Sequence, residues 1–85
     1  MRYLLITYVR KPQGQIDEIV GFATKVRDKD YNNCNVIVDY KDKKVLKCVI
    51  EGKKVETNFQ LMDDYYRKVY PELIKKINDE AEKFT

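Results

Sequence analysis

Apolar residues between positions 3 and 9 occupy both alternating sets. Leu4, Ile6 and Tyr8 fall on one, Tyr3, Leu5 and Val9 on the other. A run of this kind, closed by Arg10 and Lys11, predicts an interior strand covered on both faces. Residues 11–15, Lys-Pro-Gln-Gly-Gln, supply the dihedrals of a turn. Residues 16–27 fit two periods. Ile16, Ile19, Val20 and Ala23 make a helical stripe, whereas Ile16, Val20, Phe22, Thr24 and Val26 make a strand face. Gly21 weakens a helix by about 1 kcal/mol. The preceding turn and the β-branched content favour a strand, and hence a first hairpin.

Residues 28–33 are polar, carry Asn-Asn and predict a loop. Residues 34–40 read as a strand, 41–44 as a turn and 45–51 as the returning strand. With Val38 opposite Leu46, one face collects Cys34, Val36, Val38, Leu46, Cys48 and Ile50 without interruption, the kind of pattern that sets a hairpin's register. The other face keeps Ile37, Val45 and Val49 beside Asp39 and Lys47, more apolar than a solvated face needs. A further turn at 51–54 leads to a very short edge strand at Val55. Thr57 and Gln60 have the spacing of a capping box. A helix then spans about residues 58–83, with Met62, Tyr65, Tyr66, Val69, Leu73, Ile74, Ile77, Ala81 and Phe84 on its apolar side. Pro71 cannot donate to the helical ladder, so it kinks this helix or opens a second one. The expected fold is α+β, β-β-β-β-α: a four-stranded antiparallel sheet with the broken helix on one face.

The chain has 85 residues, room for one domain and one core. A domain of this size buries about 60 to 65% of its unfolded surface, so added stability from homodimerisation is expected. The longest apolar run is far shorter than the roughly 20 residues of a membrane span. Arg2 imitates the basic start of a signal peptide, but no small-residue cleavage site follows the run, so a cytoplasmic protein is expected. Cys34 and Cys48 sit inside apolar alternations and read as reduced, buried thiols.

Catalytic chemistry is not expected. There is no histidine, and the three glycines are scattered singly, so the usual triads and phosphate loops are missing. Two cysteines without histidine do not make a zinc site. The acidic neighbours Asp17-Glu18, Asp63-Asp64 and Asp79-Glu80 do not converge by themselves. No metal and no cofactor are expected.

Charge is more informative. Through Thr57 there are twelve Lys/Arg against eight Asp/Glu, and from Asn58 onward five against six. The positive excess belongs to the sheet half. It gathers at Arg10-Lys11, at Lys25/Arg27/Lys29, at Lys41/Lys43/Lys44/Lys47 and at Lys53-Lys54. The first, third and fourth clusters are turns that would line one rim. Such cations can neutralise phosphates while tyrosines near them stack on unpaired bases. The candidate contacts for nucleic acid are Arg10, Lys11, Lys25, Arg27, Lys41, Lys43, Lys44 and Lys47, with Tyr8 and Tyr40 stacking. Lysines in turns also serve as solubility devices and edge protection, and the pI of 8.8 falls short of the above-9 footprint usual for nucleic-acid binding. A protein partner, docked through the helix or a sheet edge, remains open on composition.

Several strings resemble a family of short accessory proteins of T-even-type tailed phages. They are Met1-Arg2-Tyr3-Leu4-Leu5-Ile6-Thr7-Tyr8, Gly14-Gln15-Ile16-Asp17-Glu18, Cys34-Asn35-Val36-Ile37-Val38-Asp39, Cys48-Val49-Ile50-Glu51-Gly52-Lys53 and Tyr65-Tyr66-Arg67-Lys68-Val69-Tyr70-Pro71. They span nearly the whole chain and are structural strings without a catalytic signature. The resemblance implies a homodimeric, sequence-tolerant RNA binder in the cytoplasm of an infected cell, of the kind that counters the ToxIN toxin–antitoxin defence. It identifies no contact residues. The alternative is an inhibitor module that docks on a host protein.

Overall fold

The computed structural model describes residues 1–83, so Phe84 lies outside the described residues. The elements are β1 (Tyr3–Arg10), β2 (Ile16–Ala23), α1 (Asp28–Asn33), β3 (Val36–Asp39), β4 (Lys44–Ile50), β5 (Lys53–Lys54), α2 (Phe59–Val69) and α3 (Pro71–Glu82). The α+β class and antiparallel sheet agree with expectation, but the sheet has five strands, in the order β2-β1-β3-β4-β5. Every neighbouring pair is antiparallel, so β1 and β4 run one way and β2, β3 and β5 the other.

The ambiguous stretch after the first turn is a strand as far as Ala23, paired with β1 from Tyr3↔Ala23 to Arg10↔Ile16. Gly14, at φ +85°, takes the left-handed position in the intervening turn. The expected loop at 28–33 is instead the one-and-a-half-turn helix α1. Its start is held by Asp30, whose Oδ2 accepts the Arg27 backbone N–H at 2.9 Å. Asp28 and Asp30 also place negative charge in its first turn. Lys47 Nζ donates to the Tyr31 carbonyl, and Arg27 and Asp30 share a cavity with Leu5. α1 therefore lies on the sheet face opposite the long helices. Ile37, on that face, is fully buried.

In the second hairpin the expected register holds for Val36↔Cys48 and Ile37↔Lys47, then shifts by one residue to Val38↔Val45 and Asp39↔Lys44. Leu46 is the extra residue of a bulge. This overturns the pairing of Val38 with Leu46. Val45, and not Leu46, joins the core side. The last turn carries positive φ at Glu51 (50°) and Gly52 (77°), and the edge strand that follows is at Lys53–Lys54 and not Val55.

The capping residue of α2 is Asn58 and not Thr57. Its Oδ1 accepts the Leu61 N–H at 3.0 Å, while the Gln60 side chain donates to Asp64 at 2.9 Å. The break at Pro71 is present, with Pro71 opening α3 at its first turn. The two helices cover β1, β3 and β4. Leu4, Ile6, Val36, Val38, Tyr40 and Cys48 form the core with Tyr66, Ile74, Ile77 and Ala81. The apolar side of α2 is rotated from the expected one: Phe59, Met62, Tyr66 and Tyr70 face the sheet, leaving Tyr65 and Val69 exposed, as is Leu73 at the start of α3. Cys34 and Cys48 are free and buried, and burial pushes the Cys48 thiol up. No helix is long and apolar enough to cross a membrane among the described residues.

Candidate nucleic-acid interface

Strand direction decides where the cations lie. The β1–β2 turn and the β4–β5 turn share one end of the sheet, where Arg10 Nη2 lies 3.6 Å from Glu51 Oε1. The β3–β4 turn lies at the opposite end, with the exit of β2 and the start of β1. The expectation that Arg10-Lys11, the Lys41–Lys47 cluster and Lys53-Lys54 line one rim is therefore overturned. Arg10, Lys11 and Lys53 are at one end; Lys25, Lys41, Lys43 and Lys44 are at the other.

The two ends differ in how their charges are used. Arg10 pairs with Glu51, and Lys11 Nζ sits 2.9 Å from Asp17 Oδ2. At the opposite end Lys25, Lys41 and Lys44 enter no ion pair among the described residues. Lys43 Nζ lies 5.4 Å from the centre of the Phe59 ring, and a cation over a ring face keeps its charge. Arg27 Nε is 3.6 Å from Asp30 Oδ2, with most of the guanidinium in solvent. Lys47 is half-buried and spent on the Tyr31 carbonyl.

Four carboxylates near this end are engaged, and Asp28 in the first turn of α1 is exposed. Arg2 contacts both Asp39, at 2.8 Å, and Asp42, at 3.0 Å. The N-terminal amine holds Glu80 at 2.9 Å. The backbone N–H of Arg27 holds Asp30, aided by the guanidinium, and keeps its carboxyl below the usual range. Arg2 carried no signal in the sequence, because its partners lie 37 and 40 positions away.

Neither stacking candidate is an open platform. Tyr40 is 2% exposed, and its hydroxyl donates to Asp63 Oδ1 at 3.2 Å in the core. Burial, followed by the Asp63 charge, pushes this phenol well up. Tyr8 is half-buried, with its hydroxyl 3.3 Å from that of Tyr66. The alternation that put both residues near lysines also put them on the core face. Tyr31, on α1, is exposed, and its backbone carbonyl accepts from Lys47 Nζ.

No family model matches this chain, and neither a curated protein nor a solved structure matches it.

Proposed function

We propose that this protein binds RNA through the end of the sheet that carries Lys25, Lys41, Lys43 and Lys44, as a phage accessory protein acting against a host toxin–antitoxin defence. One observation carries the reading. The antiparallel order brings the exit of β2 and the β3–β4 turn to the same end, and none of these four lysines is neutralised by a described carboxylate. Phosphates are gripped by unpaired cations on a common surface and need no base-specific geometry. The phage resemblance supports the RNA assignment, and the host defence is inferred from it alone.

Four phosphate contacts to a single strand give a log–log salt slope of about −3. Gel-shift titration at two salt concentrations reads this directly; an affinity indifferent to salt removes the proposal. We extend it to a homodimer joined at β2. This eight-residue edge strand contains no Pro or Lys and exposes Ile19, whereas the other edge is two lysines long. Antiparallel pairing of two β2 strands about Ile19 sets Asp17 against Gly21 and Glu18 against Val20, so like charges do not meet.

A second reading has its own support. Leu61, Tyr65 and Val69, one turn apart along α2, and Leu73 beyond them are all exposed. A stripe of this spacing suits a groove on a host protein. Pull-down from nuclease-treated lysate separates the two: a protein partner that survives treatment and is lost with Tyr65→Lys favours docking.

A further inference from the structure

A cavity of about 520 Å³ lies between α1 and the paired ends of β1 and β2. Ligand sites fall in the range of roughly 300–1,000 Å³. Its floor includes Leu5 and Ala23, both partly exposed on the sheet face that carries α1, and its rim carries Lys25, Arg27 and Asp30. Apolar surface thus lies within one side chain of two cations. Nothing in the core requires this arrangement, since Leu5 and Ala23 are absent from the buried cluster.

We infer that this cavity is a nucleotide subsite, taking one unpaired base against Leu5 and Ala23 while Lys25 and Arg27 hold its phosphate. The inference rests on the RNA reading and deepens it, naming single-stranded RNA as the ligand. Every base has an apolar face that can cover such a floor, and stacking or apolar contact of this kind tolerates any sequence. Lys25 enters no ion pair among the described residues. Arg27 uses only Nε towards Asp30 and leaves its Nη donors for a phosphate. Asp30 Oδ2 is turned towards the Arg27 backbone N–H, at 2.9 Å, which offsets part of its charge without using the Arg27 Nη donors. A duplex cannot present a base here, since its bases are stacked and paired. The lysines of the β3–β4 turn stand at the same end of the sheet, two strands away, and would hold neighbouring phosphates.

The test uses the intact ¹⁵N-labelled chain, titrated with a single-stranded RNA octamer and with the same octamer made abasic. With the ordinary octamer, amide shifts are expected at Leu5, Ala23, Thr24 and Arg27 as well as at Lys41 and Lys44. The abasic octamer should bind about tenfold more weakly, as the loss of one base contact implies. It should also spare the Leu5 and Ala23 amides. Lys25→Ala should lower the salt slope for the ordinary octamer by about 0.7. Shifts confined to the β3–β4 turn, with both octamers bound equally, overturn the subsite and leave the RNA reading intact. Absence of binding by either octamer removes both.

Discussion

The Arg2 guanidinium grips the Asp39 carboxylate with two hydrogen bonds, Nε to Oδ1 at 2.9 Å and Nη2 to Oδ2 at 2.8 Å. The pair ties the start of β1 to the end of β3, next to the turn that carries the free lysines. Asp39 Oδ1 also accepts the backbone N–H groups of Lys41 and Asp42, at 3.0 and 3.2 Å, and so shapes that turn. Burial opposes ionisation of Asp39, but the Arg2 bond and these two N–H groups together outweigh it and hold the carboxyl below its usual range. A carboxyl whose folded pKa is depressed contributes stability that is present above the unfolded value, about 3.9, and lost as pH falls through the folded one. Acid unfolding should therefore begin below about pH 4. Asp39→Asn should cost about 2 kcal/mol at neutral pH, the loss of a charge-assisted bond, with a flatter acid limb. Urea titrations at pH 7 and pH 3 check both; equal midpoint losses at the two pH values would falsify the linkage.

Buried phenols set the opposite limit. Burial is the main cause raising Tyr8, Tyr40 and Tyr66. A phenol whose folded pKa is raised keeps its proton longer in the folded state, so stability is whole below the unfolded value of about 10 and falls as pH climbs past it. Thermal melts between pH 8 and 11 should show this decline, and Tyr66→Phe should soften it. An unchanged melting temperature at pH 11 contradicts the burial of these groups.

Tyr40→Phe tests the correction to the stacking candidates. Its hydroxyl bonds a carboxylate that Arg67 Nε also holds, at 2.7 Å, so the loss should be about 1 kcal/mol of stability. RNA affinity should not move, because the ring is in the core. A several-fold loss of binding in a fully folded Tyr40→Phe protein would return Tyr40 to the interface.

The two ends of the sheet make separable predictions. Lys41→Glu with Lys44→Glu should weaken RNA binding at least tenfold and flatten its salt dependence. Arg10→Glu with Lys11→Glu should have a much smaller effect, since these cations already face Glu51 and Asp17. Gel shifts on the two double variants decide it; the reverse ranking moves the interface to the other end.

Ile19→Lys should convert the proposed dimer to a monomer, because a lysine on the bare edge strand opposes pairing with a second copy. Solution mass of the wild type and the variant is the measurement. A monomeric wild type, or a variant whose mass still equals two chains, rejects the β2 interface.

Caps and breaks differ in how far the local sequence decides them. Thr57 and Asn58 both have capping side chains, and the spacing to Gln60 pointed to the wrong one. Asn58 captures the Leu61 N–H, and Gln60 turns to Asp64. Pro71 left no comparable choice, because its ring forbids an unbroken helix whatever surrounds it.

The chain's own pattern determined the strands at both hairpins, the apolar core face of Leu4, Ile6, Val36, Val38 and Cys48, and the division of the last helix at Pro71. Those features follow from alternation and from one covalent ring, which act within a few residues. Tertiary structure alone decided the bulge at Leu46, the helix at 28–33, and which cations share an end. Each depends on pairing between distant segments: β3 beside β1, Arg2 against Asp39, Lys47 on Tyr31. A lysine's position along the chain carries no direction; only the antiparallel order of the sheet turns four scattered clusters into two opposite ends.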